Sequence, residues 1–257
     1  RAYTGEPLRP EHLADLTGFI ATTEPPFGVE AQIALVHADL GAAPQKLGSY
    51  GMVKNARDFM GLVYADGPLA AAGAAYWFEQ AVLRCTALGV GTCWLAGFTH
   101  GSFSRQLTLA AGEKLRIASP LGYPGGPKPL AQRLGLFDPD KLHRNKKPFE
   151  KLVLRPDFAT PVTAAEAGPL AEPLELTRLA PSAQNLQPYT LILDAGAVHF
   201  YAHRSQFSEI DTGIALAHFD LSAAALGLAG ALAVLDAPPA DPRPGPGAAY
   251  VMSWRRA

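Results

Sequence analysis

Twice along this chain a long helical stretch runs out in Leu-Gly and is followed by a short apolar run. Ala87-Leu88-Gly89-Val90-Gly91 lines up against Ala225-Leu226-Gly227-Leu228-Ala229, and glycine accepts the left-handed backbone that ends a helix. The segments before and after these points repeat as well. In the first pass Pro10–Thr22 reads as a helix, with Leu13, Leu16, Phe19 and Ile20 on one face. Ile33–His37 and Phe59–Tyr64 read as strands, Ala75–Leu88 as a long helix, and Thr92–Ala96 and Leu115–Leu121 as further strand-like runs. In the second pass a helix over Leu170–Leu179 precedes a turn-rich loop. Tyr189–Leu193 and Val198–Ala202 then read as a hairpin, and Ser208-Glu209-Ile210-Asp211 has the spacing of a capping box opening a long helix. Along it Ile210, Ile214, Ala217, Leu221, Ala224 and Leu228 form one stripe, and Ala231–Leu235 and Tyr250–Trp254 follow as strands. The shared order predicts an α+β fold, with helices packed around antiparallel-rich sheets in two similar halves that form an intramolecular pseudo-dimer. The expected boundaries are residues 1–126 for the first half, 127–160 for a basic extended connector and 161–257 for the second half.

Composition narrows the partners. A formal net charge of −1 over 257 residues carries no polycationic bias. Nucleic acid and anionic membrane, both found through clustered Lys and Arg, are therefore not expected. The 2 cysteines, Cys85 and Cys93, lie too close in sequence to staple a domain and form no metal-ligand set. A reducing, cytoplasmic setting is expected. The 25 Gly and 23 Pro fall between periodic segments, where turns belong.

The segment Leu179-Ala180-Pro181-Ser182-Ala183-Gln184-Asn185-Leu186-Gln187-Pro188-Tyr189 resembles the flavin-contacting loop of the nitroreductase family. There a helix runs into Ala-Pro-Ser-x-x-Asn-x-Gln-Pro followed by an aromatic. Arg1-Ala2-Tyr3 resembles the end of the family's basic N-terminal stretch, and Ala87–Trp94 its helix-to-strand turn. Ile210–Phe219 resembles the long helix of the branch in which two copies are fused. The resemblance spans nearly the whole chain, and Pro181–Pro188 is its most specific part. It implies FMN as cofactor and NAD(P)H as transient electron donor. It also implies one flavin site, because the first half has Thr23–Gly28 where the Pro-Ser-x-x-Asn loop belongs, and the second has no basic pair in Arg155–Pro161.

Each part of FMN asks for a particular side chain. The phosphate needs cationic donors, preferably a planar Arg fork. Arg1 leads, with Arg144 and Lys146 of the connector matching where the family returns basic residues; the alternative for this run is a solvated charge cluster. The pyrimidine edge needs donors and acceptors in fixed geometry. Pro181, Ser182, Ala183 and Asn185 are assigned to it, with Lys54 or Asn55 as a charge-stabilising donor. An ordinary turn is the competing reading of the Pro-Ser-x-x-Asn loop. Ala96 and Gly97 follow the first long helix and its strand, where the family sets a backbone N–H near the flavin N5. Three other features are set aside. Gly89–Trp94 follows a helix and is no dinucleotide fingerprint. Cys93 and His218 read as packed residues rather than a nucleophile and a ligand.

The resemblance implies a two-step oxidoreductase: hydride from NAD(P)H to flavin, then electrons to a nitroaromatic, quinone or similar small acceptor. No protein acid or base is assigned, since the cofactor carries the chemistry. A monomer is expected, the main interface being internal. Two rivals stand beside this reading: a duplicated scaffold without flavin that binds another small ligand or partner, and a flavoprotein acting on flavin itself or on another compound.

Overall fold

A computed structural model describes residues 1–37, 53–96, 107–126, 128, 133, 145–239 and 247–257. The chain divides into two units, Arg1–Asp138 and Pro139–Ala257. Both mix helices with largely antiparallel sheet, the α+β class read from the sequence.

The first unit opens with helix α1 (Pro10–Thr22), whose first residue is a proline, at a position where the N–H would have no intrahelical partner. Strands β1 (Ala31–His37), β2 (Asp58–Tyr64) and β3 (Lys114–Leu121) form an antiparallel sheet in the order β1-β2-β3. Strand β2 is buried along its full length, as the middle strand of a covered sheet must be. Helix α2 (Ala70–Ala87) begins five residues before the expected Ala75. Its first turns are alanine and glycine buried nearly all round, so they carry no polar face to mark them as helix. A bidentate Arg84–Asp15 pair, both bonds 2.6 Å, ties α2 to α1. The strand expected over Thr92–Ala96 is instead two isolated bridges, Gly91 to Gly122 and Leu95 to Ala118. Between them the Cys93 N–H donates to the Ser119 hydroxyl at 3.0 Å, which takes the place of a ladder carbonyl.

The second unit holds helix α3 (Phe149–Leu152), strand β4 (Val153–Leu154), helix α4 (Ala164–Ala167) and helix α5 (Ala171–Leu179). Strands β5 (Tyr189–Asp194) and β6 (Ala197–Ala202), helix α6 (Ser208–Ala225), and strands β7 (Gly230–Ala233) and β8 (Ala249–Arg256) complete it. The sheet order is β4-β5-β6-β8-β7, with β4 parallel to β5 and the other pairs antiparallel. Helix α3 and strand β4 thus lie inside the stretch expected as an extended connector. Helix α6 covers one sheet face, where Phe219 meets Phe200 and Trp254 edge-on at 5.6 and 5.4 Å between ring centres.

The capping box expected at Ser208–Asp211 does not form. Phe207 is the N-cap of α6 and makes no side-chain cap, and the Ser208 hydroxyl donates to the Ser205 carbonyl. Asp211 turns inward instead of back along the helix. The capping box of this unit is Thr163 with Glu166, at the start of α4. Among the described residues no helix is long and apolar enough to cross a membrane, and no cluster of His, Cys, Asp and Glu could hold a metal.

Candidate functional site

The turn between α5 and β5 is built from residues with unusual backbone. Ser182 is extended, and Gln184, Asn185 and Gln187 all take positive φ, at 51°, 56° and 46°. Non-glycine residues in that region cost energy each and persist only where the surroundings hold them. Gln187 does most of the holding. Its side chain is fully buried: the amide N–H donates to the Arg178 carbonyl at 2.8 Å, and its oxygen accepts from the Lys147 N–H at 2.7 Å. Its own N–H reaches the Ser182 hydroxyl oxygen at 3.0 Å, and its carbonyl accepts from the Lys147 ammonium at 2.7 Å. Both faces of one amide are spent on closing the turn.

Two further groups reach the turn. Lys146 is half-buried and donates to the Ala180 carbonyl at 2.6 Å. Burial, reinforced by the nearby Arg178 cation, lowers its ammonium to a pKa of about 8, against an opposing pull from Asp211. Asp211, 2% exposed on the first turns of α6, accepts from the Ala183 N–H at 2.8 Å. Its second oxygen, Oδ2, is buried and has no hydrogen-bond partner among the described residues. Burial raises this carboxyl to about 7, against the opposing effects of the Ala183 N–H and of Lys146. Asn185 donates from its side chain to the Asn145 carbonyl at 2.8 Å. Arg178 forms a bidentate pair with Glu175 at 2.6 Å and donates to the Lys147 carbonyl at 3.1 Å.

Of the residues assigned from sequence, Lys146, Pro181, Ser182, Ala183 and Asn185 therefore meet in one turn of the second unit. Lys146 and Lys147 are anchors for backbone carbonyls, not a solvated charge run. In the first unit Arg1, Lys54 and Asn55 come together along an entry ribbon. The Lys54 N–H donates to the Arg1 carbonyl and the Tyr3 N–H to the Lys54 carbonyl, both at 3.1 Å. Asn55, at φ 62°, donates from its side chain to the Tyr3 carbonyl at 3.3 Å. Thr4 and Gly125 close the other side through Tyr123 and Ala2. Ala96 is half-buried just after the Leu95–Ala118 bridge; Gly97 and Arg144 lie outside the described residues.

Sequence reading missed Asp211, which it spent on a helix cap. The signal was present: three and four residues on stand Ile214 and Ala215, so the carboxylate shares a helix side with core positions. Gln187 enters the sequence reading only as part of the loop motif.

A family model described as "Putative TM nitroreductase" matches residues 1–223. The chain belongs to this nitroreductase family. Among solved structures, this nitroreductase-family chain is similar to a "putative nitroreductase" from Thermotoga maritima. The two are 17% identical with a TM-score of 0.60, over 99% of this chain and 86% of that one. A nitroreductase family protein from Clostridium novyi NT matches 48% of this chain and 78% of its own length, at 17% identity and TM-score 0.39. A nitroreductase with bound FMN from Bacteroides fragilis matches 49% of this chain and 82% of its own length, at 15% identity and TM-score 0.37. No curated protein matches the chain.

Proposed function

We propose that this chain is an FMN-dependent oxidoreductase that draws hydride from NAD(P)H and passes electrons to a nitroaromatic, quinone or similar small acceptor. Family membership supports the reaction class, and the turn at Pro181–Pro188 carries the cofactor assignment. The fit can be tested on the residues themselves. A flavin pyrimidine edge alternates carbonyl acceptors with an N–H donor, so its site needs polar groups of both kinds. The turn supplies the Ser182 hydroxyl and the Asn185 amide, and helix α6 sets the Asp211 carboxylate behind it, one buried oxygen having no hydrogen-bond partner among the described residues. Unpaired buried polar atoms are rare, because leaving one unsatisfied costs about 1–3 kcal/mol. The donor set fits a polar heterocycle.

When bound, FMN supplies the two-electron relay between donor and acceptor. The residues of the chain bind and orient. Ser182 and Asn185 hold the pyrimidine edge together with the Ala183 backbone and Pro181. Arg1 and Arg144 are assigned to the phosphate, Lys54 or Asn55 to the charge that builds near N1 on reduction, and Ala96 and Gly97 to the N5 side. Lys146, assigned to the phosphate from sequence, is read here as a turn anchor because its ammonium holds the Ala180 carbonyl.

We further read the two units as copies of one half, the protein acting as a cytoplasmic monomer. From α5 to β7 the second unit follows the order of the first, helix, strand, strand, long helix, strand, with α3, β4 and α4 before it and β8 after it. Helices α2 and α6 are each 18 residues long, and the glycines after them, Gly89 and Gly227, have φ of 71° and 72°.

The test is a flavin titration of wild type, Asn185→Ala and Arg1→Ala, followed by absorbance, then NAD(P)H consumption with a nitroaromatic or quinone. Weakened binding in Asn185→Ala and turnover in wild type are expected. A wild-type protein that is colourless once unbound FMN has been removed from the mixture would falsify the proposal and favour the flavin-free scaffold.

A further inference from the structure

Two oppositely charged side chains grip the Pro181–Pro188 turn from outside it. Lys146 takes the carbonyl of Ala180, just before the turn, and Asp211 takes the N–H of Ala183, at its crest. Neither contact is needed to connect α5 to β5, since Gln187 already closes the turn. What they fix is the position of Ser182, which lies between the two gripped residues, and the approach to Asn185, whose N–H bonds back to the Ser182 carbonyl. We propose that Asp211 is a positioning residue that clamps the turn at Ala183 and sets how tightly the turn holds its ligand. The effect on ligand rests on the flavin reading above; the clamp itself does not.

The groups around Asp211 decide how it responds to pH. Lys146 attracts it, and Arg178 in turn repels Lys146 while paired with Glu175. Lys147 is held on the Gln187 carbonyl. Tyr189 of β5 points its hydroxyl to the Thr177 carbonyl on α5, and burial keeps that phenol protonated. Helix α6 also packs on β6 and β8. There Phe200 and Trp254 face it, so the alternation of a strand turns His199, Tyr201 and Arg255 to the other face. Strand β7 has no ionisable residue. Asp211 thus has one counter-charge, Lys146, and a carboxyl that changes charge near neutrality. An ionised carboxylate is the stronger acceptor for an N–H. Protonation therefore loosens the grip on Ala183, and an acidic medium weakens the ligand.

Amide hydrogen exchange in the wild-type protein tests the clamp without any ligand. The protection factor of the Ala183 N–H, corrected for intrinsic rate, should fall by about fivefold from about pH 8 to about pH 6 while that of Leu191 holds. In Asp211→Asn the amide oxygen still accepts but cannot titrate, so protection should no longer depend on pH. FMN affinity should follow: over the same interval wild type should lose about fivefold more than Asp211→Asn, a comparison that cancels titration of the phosphate itself. An Ala183 N–H that exchanges freely at both pH values, or is equally protected at both, overturns the clamp. Parallel FMN curves for wild type and variant overturn its effect on ligand. Should wild type bind no FMN, the flavin reading fails, while the exchange result still decides the clamp.

Discussion

In the first unit the residues assigned to a cofactor are held by their backbones; in the second they are held by other side chains. Arg1, Lys54 and Asn55 line up because the entry ribbon pairs with Lys54 on one side and Tyr123–Gly125 on the other. The Asn55 side chain adds a bond to the Tyr3 carbonyl. In the second unit Gln187, Lys146, Lys147 and Asp211 each spend a side chain on the backbone of the turn or its flanks. A backbone-held site tolerates exchange of its side chains and loses only ligand. A side-chain-held site couples ligand to stability, because the same substitution releases both.

Gln187→Ala should produce the largest effect and tests this coupling most directly. It leaves the Lys147 N–H and the Arg178 carbonyl without their buried partner, costing about 2–4 kcal/mol by urea unfolding. A loss below about 0.5 kcal/mol would mean that the turn closes without it.

Asp211→Asn should remove the pH dependence of stability that this carboxyl carries. The folded carboxyl titrates near 7, above its ordinary value of 3.8. The folded state therefore holds a proton that the unfolded chain has released, and wild type loses stability as pH rises between those two values. The variant lacks this decline, so the two thermal-unfolding curves should diverge toward neutral pH. Curves that stay parallel would leave Asp211 outside the set of titrating core groups.

Ligand binding sharpens the contrast on the other side. Arg1→Ala should weaken FMN by about tenfold, or 1.4 kcal/mol, and leave riboflavin binding unchanged, since riboflavin has no phosphate for Arg1 to hold. Equal losses for FMN and riboflavin would move Arg1 from the phosphate to the ring. The smallest effect belongs to Asn55→Gly. Relief of the positive φ offsets the lost bond to Tyr3, for a net change within about 0.5 kcal/mol by calorimetry.

Legibility in the sequence followed the same division. Elements with a clear period or a sharp stop were readable: α1 was placed to the residue, and the β5–β6 hairpin and the ends of both long helices nearly so. Helix α2 was shortened because its first turn is alanine and glycine, with Ala70, Ala72, Gly73 and Ala74 buried, and shows no polar face. The Thr92–Ala96 run was overread because a side chain, Ser119, replaces a strand partner, and no local pattern announces that. At the site, the resemblance located the turn, but which atoms hold it depended on contacts 28 to 40 residues apart, beyond any spacing rule. Asp211 shows the cost of a local explanation: a helix-start pattern accounted for the carboxylate, so nothing prompted a search for a distant donor.

Strand β7 carries a consequence of its own. A methyl group at Gly230 would lie 2.1 Å from the Trp254 ring, and that indole is among the largest fully buried side chains of the second unit. Glycine is required there by the neighbour's bulk rather than by its own backbone angles. Gly230→Ala would wedge the far edge of the sheet open, at about 1–3 kcal/mol, with the turn chemistry untouched. It offers a calibrant: any flavin loss it causes measures how much a merely weakened scaffold contributes, and only losses beyond that belong to the turn.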